Sequence, residues 1–102
     1  MVKTWNIKPQ LKGTTLNQKK LTFPFDITNC IVKMQFKGLG VMSKVDFEWS
    51  TTDGTFEKIS STEIIMKSRL LDYNIGVYNA NLKVNFSSGE IKIPIKVNLS
   101  IL

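Results

Sequence analysis

The sequence predicts an all-β domain with an antiparallel β-sandwich as its expected architecture. Three observations lead there. Apolar and polar residues alternate with period two over several short runs, turn-forming residues separate those runs, and no stretch carries a helical period or a cap-to-cap pattern. About seven or eight short strands result. A small β-barrel is the alternative, because strand count and alternation do not decide closure.

Along the chain, Trp5 and Ile7, closed off by Pro9, form a first candidate strand. Leu21-Thr22-Phe23-Pro24-Phe25 alternates but contains a proline, which cannot donate a ladder hydrogen bond and so predicts an edge strand or one that switches sheets. Val32, Met34 and Phe36 alternate with Lys33 and Gln35, and Val45, Phe47 and Trp49 alternate with Lys44, Asp46 and Glu48. Lys37-Gly38-Leu39-Gly40 is a glycine-punctuated turn between them, and Ser50-Thr51-Thr52-Asp53-Gly54 is a strong turn after the second. Phe56 to Ile59 and Glu63 to Met66 are two further short strands.

The last third carries the clearest pattern. Tyr78, Ala80, Leu82, Val84 and Phe86 alternate with Asn79, Asn81, Lys83 and Asn85. After Ser87-Ser88-Gly89-Glu90, Ile91, Ile93, Ile95, Val97, Leu99 and Ile101 alternate with Lys92, Pro94, Lys96, Asn98 and Ser100. The two runs predict a β-hairpin. Pro94 lies on the polar side of the second run and predicts an edge or an unpaired stretch there.

A length of 102 residues fits one domain, taken as residues 1–102, and there is no internal repeat or linker-like composition break. No apolar run approaches the roughly 20 residues that span a bilayer as a helix. Met1-Val2-Lys3-Thr4-Trp5-Asn6 has no apolar signal-like segment behind it, so synthesis and use in a cytoplasm are expected. The net charge of +6 comes from 13 lysines and one arginine, Arg69, spread along the chain. Arginine-rich clustering of the kind that reads nucleic acid is not visible, and a lysine-coated surface facing water or an acidic partner is the reading.

Chemistry is poorly provided for. The sequence has no histidine, which removes the commonest general base and metal ligand, and one cysteine, Cys30, read as a buried inert thiol. Of the eight carboxylates, the close pair Asp46 and Glu48 reads as surface charge beside Lys44. Asp53-Gly54 has too few oxygen donors around it for a calcium loop, and Gly38-Leu39-Gly40 has no helix after it to hold a phosphate. No catalytic residue, cofactor or metal site is expected. Most aromatic residues fall on the apolar side of their strands and read as core. Trp5, near a terminus among polar neighbours, reads as a docking anchor.

Three segments together, Asp26 to Lys37, Gly76 to Val84 and Ser88 to Lys92, resemble the immunoglobulin-like domain at the N-terminus of tailed-phage baseplate upper proteins and in small phage virion proteins. The resemblance lies in a hydrophobic-x-hydrophobic-x-Phe-Lys strand (Val32 to Lys37) and a Gly-x-Tyr strand (Gly76-Val77-Tyr78) ahead of a final hairpin. It implies an immunoglobulin-like antiparallel β-sandwich. It further implies a non-enzymatic virion structural protein, an auxiliary or decoration protein on the capsid, or alternatively a tail, neck or baseplate component. In the baseplate proteins a long extension follows the domain, which this sequence does not contain. From another class, a carbohydrate- or nucleic-acid-binding β module is the alternative.

On the virion reading the partners are other virion subunits, the major capsid protein or tail and baseplate proteins, in multiple copies, with no membrane, no specific nucleic acid and no small-molecule ligand. The chain would be assembled in the bacterial host cytoplasm. Residues 1–9 are expected to act as an N-terminal docking arm through Val2, Trp5 and Ile7, with the loop residues Leu39, Val41 and Met42 as a second contact.

Overall fold

The computed structural model describes residues 3–38 and 47–102. Within them lie ten strands: β1 (Lys3–Asn6), β2 (Thr15–Leu16), β3 (Lys19–Thr22), β4 (Cys30–Gly38), β5 (Phe47–Ser50), β6 (Phe56–Lys58), β7 (Glu63–Met66), β8 (Arg69–Leu70), β9 (Gly76–Phe86) and β10 (Ile91–Ile101). A five-stranded sheet has the order β1-β10-β9-β4-β5, and a three-stranded sheet has the order β3-β7-β6. The short β2–β8 ladder keeps the residue register of β3–β7, pairing Leu16 with Arg69 as Lys19 pairs with Met66, and so prolongs that sheet.

Burial places the core between the two sheets. Val32, Met34, Phe36, Leu82, Val84, Val97 and Leu99 from the larger sheet meet Leu21, Phe56, Ile64 and Met66 from the smaller in one buried cluster. Each of these strands alternates buried and more exposed residues, because successive side chains point to opposite faces of a strand. The β4-β9-β10 and β3-β7-β6 groups occupy the positions of the C, F, G and B, E, D strands of an immunoglobulin-like sandwich. Near the start of β9, the Tyr78 hydroxyl donates to the Asn74 carbonyl oxygen, the backbone tie known as a tyrosine corner in that fold. The sandwich is therefore immunoglobulin-like, and its larger sheet ends at β1 and β5 without closing into a barrel.

Several details differ from the sequence reading. The larger sheet is mixed, because β1 runs parallel to β10, with Trp5 beside Val97. Pro24 lies in the bend after β3 and not inside a strand, although β3 is an edge. β10 has β9 on one side and, from Ile95 to Asn98, β1 on the other, so of the two expectations for Pro94 the structure shows the unpaired stretch and not an edge strand. What the proline marks is a β-bulge. The pairing with β9 shifts between Lys92 and Ile95, which gives Ile93 and Pro94 a single opposite residue.

An extra residue exchanges the faces of a strand, since the side-chain period is two. Ile95, Val97, Leu99 and Ile101 are buried as the alternation predicts, but Ile91 and Ile93 before the bulge are 58% and 37% exposed. Lys92 takes the inward side in their place. Its Nζ lies 4.8 Å from the centre of the Phe25 ring and 5.6 Å from that of Phe86, covering the end of the core with cation–π contacts.

At the other end, Phe36, Phe47, Trp49, Tyr73 and Tyr78 form an aromatic cluster. Phe47 stacks on Tyr73 with centroids 3.7 Å apart and on Phe36 at 4.6 Å. Trp49 is fully buried, and its indole Nε1–H donates to the Tyr73 hydroxyl at 3.1 Å, which satisfies the polar edge of an otherwise apolar ring.

Candidate functional site

Of the six residues expected to contact a partner, Val2, Leu39, Val41 and Met42 lie outside the described residues. Ile7 is 9% exposed and belongs to the core, and its N–H donates to the Asn98 carbonyl at 3.0 Å. The described part of the expected arm is thus a strand of the sheet followed by a core residue. Trp5 remains half-buried and packs against the core.

Around Trp5 the two sheets leave an open seam between the edge strands β1 and β3. Two adjoining depressions of about 310 and 320 Å³ share Lys3, Thr22 and Ile95. Phe23, Pro24 and Pro94 continue the first, and Trp5, Lys19 and Leu21 continue the second. Together they form a groove with an apolar floor. Its rim is basic: the side chains of Lys3 and Lys19 lie along it, Lys20 borders it from the other face of β3, and no carboxylate lines it.

Lys19 shares the inward side of β3 with Leu21, and its Nζ lies 5.2 Å from the centre of the Trp5 ring. Lys20 points to the other side and bonds Glu63 Oε2 at 2.9 Å. Hydrogen bonding from Lys20, then from Ser60, holds the Glu63 carboxyl below the usual carboxylate range. Sequence reasoning missed the groove, because β1 and β3 belong to different sheets and Pro94 and Ile95 between them come from about 70 to 90 positions further along the chain, so that only the sheet topology brings them together. The one local signal was Lys19-Lys20 ahead of the apolar pair Leu21 and Phe23 on an edge strand.

Three further titratable groups, Asp53, Asp26 and Cys30, are shifted by their surroundings. Burial alone would raise the Asp53 carboxyl, but hydrogen bonds from Thr55 and Ser50, with Arg69 nearby, leave it below its ordinary value. Asp53 Oδ1 accepts from the N–H groups of Ser50 at 3.2 Å and Thr55 at 2.8 Å, while Ser50 Oγ accepts from the Asp53 N–H. Those bonds close the turn at Gly54, whose φ of +85° suits glycine. Asp26 caps Thr28 in the same manner, and the bond from Thr28 lowers its carboxyl. Burial pushes the Cys30 thiol up, away from the thiolate that nucleophilic chemistry requires.

Glu48 accepts a hydrogen bond from Gln35 across β4 and β5, whereas Asp46 and Gly40 are outside the described residues. Among the described residues no group of three or more Cys, Asp and Glu side chains is placed to hold a metal ion. Buried side-chain polar atoms among them all have partners.

The outward face of the larger sheet is polar and basic. Lys33 and Lys83 are directly opposite each other on β4 and β9, next to the Gln35–Asn81 and Lys37–Asn79 pairs. Two like charges in register disfavour the pairing slightly. At the corner freed by the bulge, Ile31 and Ile91 flank Asn85 as its partners on either side. No family model matches the chain, and no curated protein matches it.

Proposed function

We propose that this chain is a non-enzymatic structural protein of a tailed-phage virion, an auxiliary or decoration subunit of the capsid, which works by contacting neighbouring subunits. One observation carries the reading. The concave surface that the fold builds around Trp5 is a seam between two free sheet edges, apolar within and basic at the rim, and it holds neither an acid–base pair nor a ligand set. Such a seam suits a protein contact better than a reaction. The resemblance of the strand motifs to phage immunoglobulin-like domains supplies the virion context. A tail, neck or baseplate position serves the same surface equally well.

The test is co-purification. Particles banded in a density gradient should contain the chain in many copies by quantitative mass spectrometry, and electron microscopy of labelled particles should locate it on the capsid. Recovery only in the soluble host fraction, never in particles, overturns the proposal.

The opposed lysines Lys33 and Lys83 favour a second reading, a β module that binds a polyanion such as nucleic acid or an acidic glycan through the outward sheet face. Binding of this kind weakens steeply with salt, with a slope set by the number of phosphates contacted. A slope of several, flattened by Lys33→Gln with Lys83→Gln, is its expected signature.

A further inference from the structure

We propose that the groove between β1 and β3 receives an extended, acidic segment of a partner protein, which adds a strand to the free edge of β3. This rests on the reading of the chain as a protein-contact module and names the contact.

The edge geometry comes first. β3 pairs with β7 on one side and has no strand on the other among the described residues. The Phe23 N–H donates to the Thr62 carbonyl at 2.8 Å. Because antiparallel ladder bonds alternate along a strand, the N–H and C=O groups of Thr22 and Lys20 then point away from β7, toward the open side. An extended chain laid there finds main-chain donors and acceptors already aligned, which is how β-augmentation gains affinity. On the opposite wall β1 is itself an edge, so the seam is bounded by strands and open along its length.

Side-chain chemistry then selects the partner. Residues of an added strand that face inward would meet Trp5, Ile95 and Phe23, an apolar floor. The charges at the rim are Lys3 and Lys19, with no carboxylate among the lining residues, while Lys20 is already matched by Glu63. Lysines on an edge strand repel other basic strands and so discourage self-pairing. The same charges attract a segment rich in aspartate and glutamate. The floor lacks exposed stacking aromatics other than Trp5, which Lys19 covers, so a single-stranded nucleic acid fits it poorly.

The test uses the full chain and three probes: a capped peptide alternating valine with glutamate, the same peptide with lysine for glutamate, and a single-stranded oligonucleotide. In two-dimensional amide NMR the glutamate peptide should shift residues 3–6 and 19–22. Lys3→Glu with Lys19→Glu should weaken that binding by about tenfold or more, and Lys33→Glu with Lys83→Glu should leave it within about twofold. Methylating alternate peptide nitrogens should abolish it, as loss of ladder hydrogen bonds demands. No saturable binding at millimolar peptide, equal binding of the lysine peptide, preference for the oligonucleotide, or shifts confined to the outward sheet face would each overturn the inference. Incorporation into particles is read separately. A Lys3→Glu/Lys19→Glu chain that folds and still incorporates normally is a virion subunit attached through another surface, which ends this inference and leaves the function standing.

Discussion

Single side chains set the corners of this sandwich, and two of them give separable predictions. The Tyr78 hydroxyl reaches back four residues to the Asn74 carbonyl, tying the loop before β9 to the strand it enters. Tyr78→Phe keeps the ring in the aromatic cluster against Phe47 and takes the donor away from that carbonyl. A loss of about 1 kcal/mol is expected, the usual net worth of one such bond, read as a lower urea midpoint with an unchanged slope. Asp53 acts through its charge. Its carboxyl lies below its ordinary value in the folded chain, so the stability it contributes is complete above the unfolded value near 3.9 and is lost as pH falls below that toward the folded value. Asp53→Asn should therefore lower stability at neutral pH and flatten the decline as pH falls through and below about 4. Parallel curves for the two proteins through that window would show that Ser50 and Thr55 are held without help from the charge.

At the level of strands and turns, the β9–β10 hairpin shows what the sequence made legible. Its alternation is long enough to define two faces, and Gly89, with φ of +96°, closes the turn in which Gly89 N–H bonds Phe86 O and Phe86 N–H bonds Glu90 O. A Cβ at Gly89 would meet nothing within 4 Å, so Gly89→Ala tests backbone strain alone and should cost about 1 kcal/mol. Gly76, at the start of β9, has no such conformation and would place its Cβ at ordinary contact distance, 3.9 Å, from the Tyr78 ring. Gly76→Ala should be neutral or slightly stabilising, both variants being read as urea midpoints against the wild type. Other elements were illegible for physical reasons. β2 and β8 are two residues each, too short to show a period, and they exist as the continuation of a ladder set elsewhere. Pro94 pointed to broken pairing, but only the pairing with β9 reveals an inserted residue that turns Ile91 and Ile93 outward. Of the expected contact residues, Trp5 lines the groove and Ile7 is buried, and because residues two apart share one side of an extended chain, alternation does not separate them; what each packs against is set by partners some 90 residues away.

For the molecule as a whole, the first strand decides whether the larger sheet has a protected end. β1 covers β10 from Ile95 to Asn98 and delivers Ile7 into the core. Deleting residues 1–8 therefore does two things that can be separated. It removes a buried isoleucine, worth about 2–5 kcal/mol where such residues are truncated, out of a typical total of about 5–15 kcal/mol. It also bares the backbone edge of an eleven-residue strand, the kind of surface that pairs with other copies. Ile7→Ala reproduces the first effect and leaves β1 in place. Urea unfolding of both proteins, with sedimentation velocity across a range of concentrations, distinguishes them. Ile7→Ala should be destabilised yet monomeric, and the truncated chain should be destabilised further and self-associate with rising concentration. A truncated chain that stays monomeric at the wild-type midpoint would mean that residues 1–8 contribute nothing to the fold, and would return the segment to its first reading as an arm.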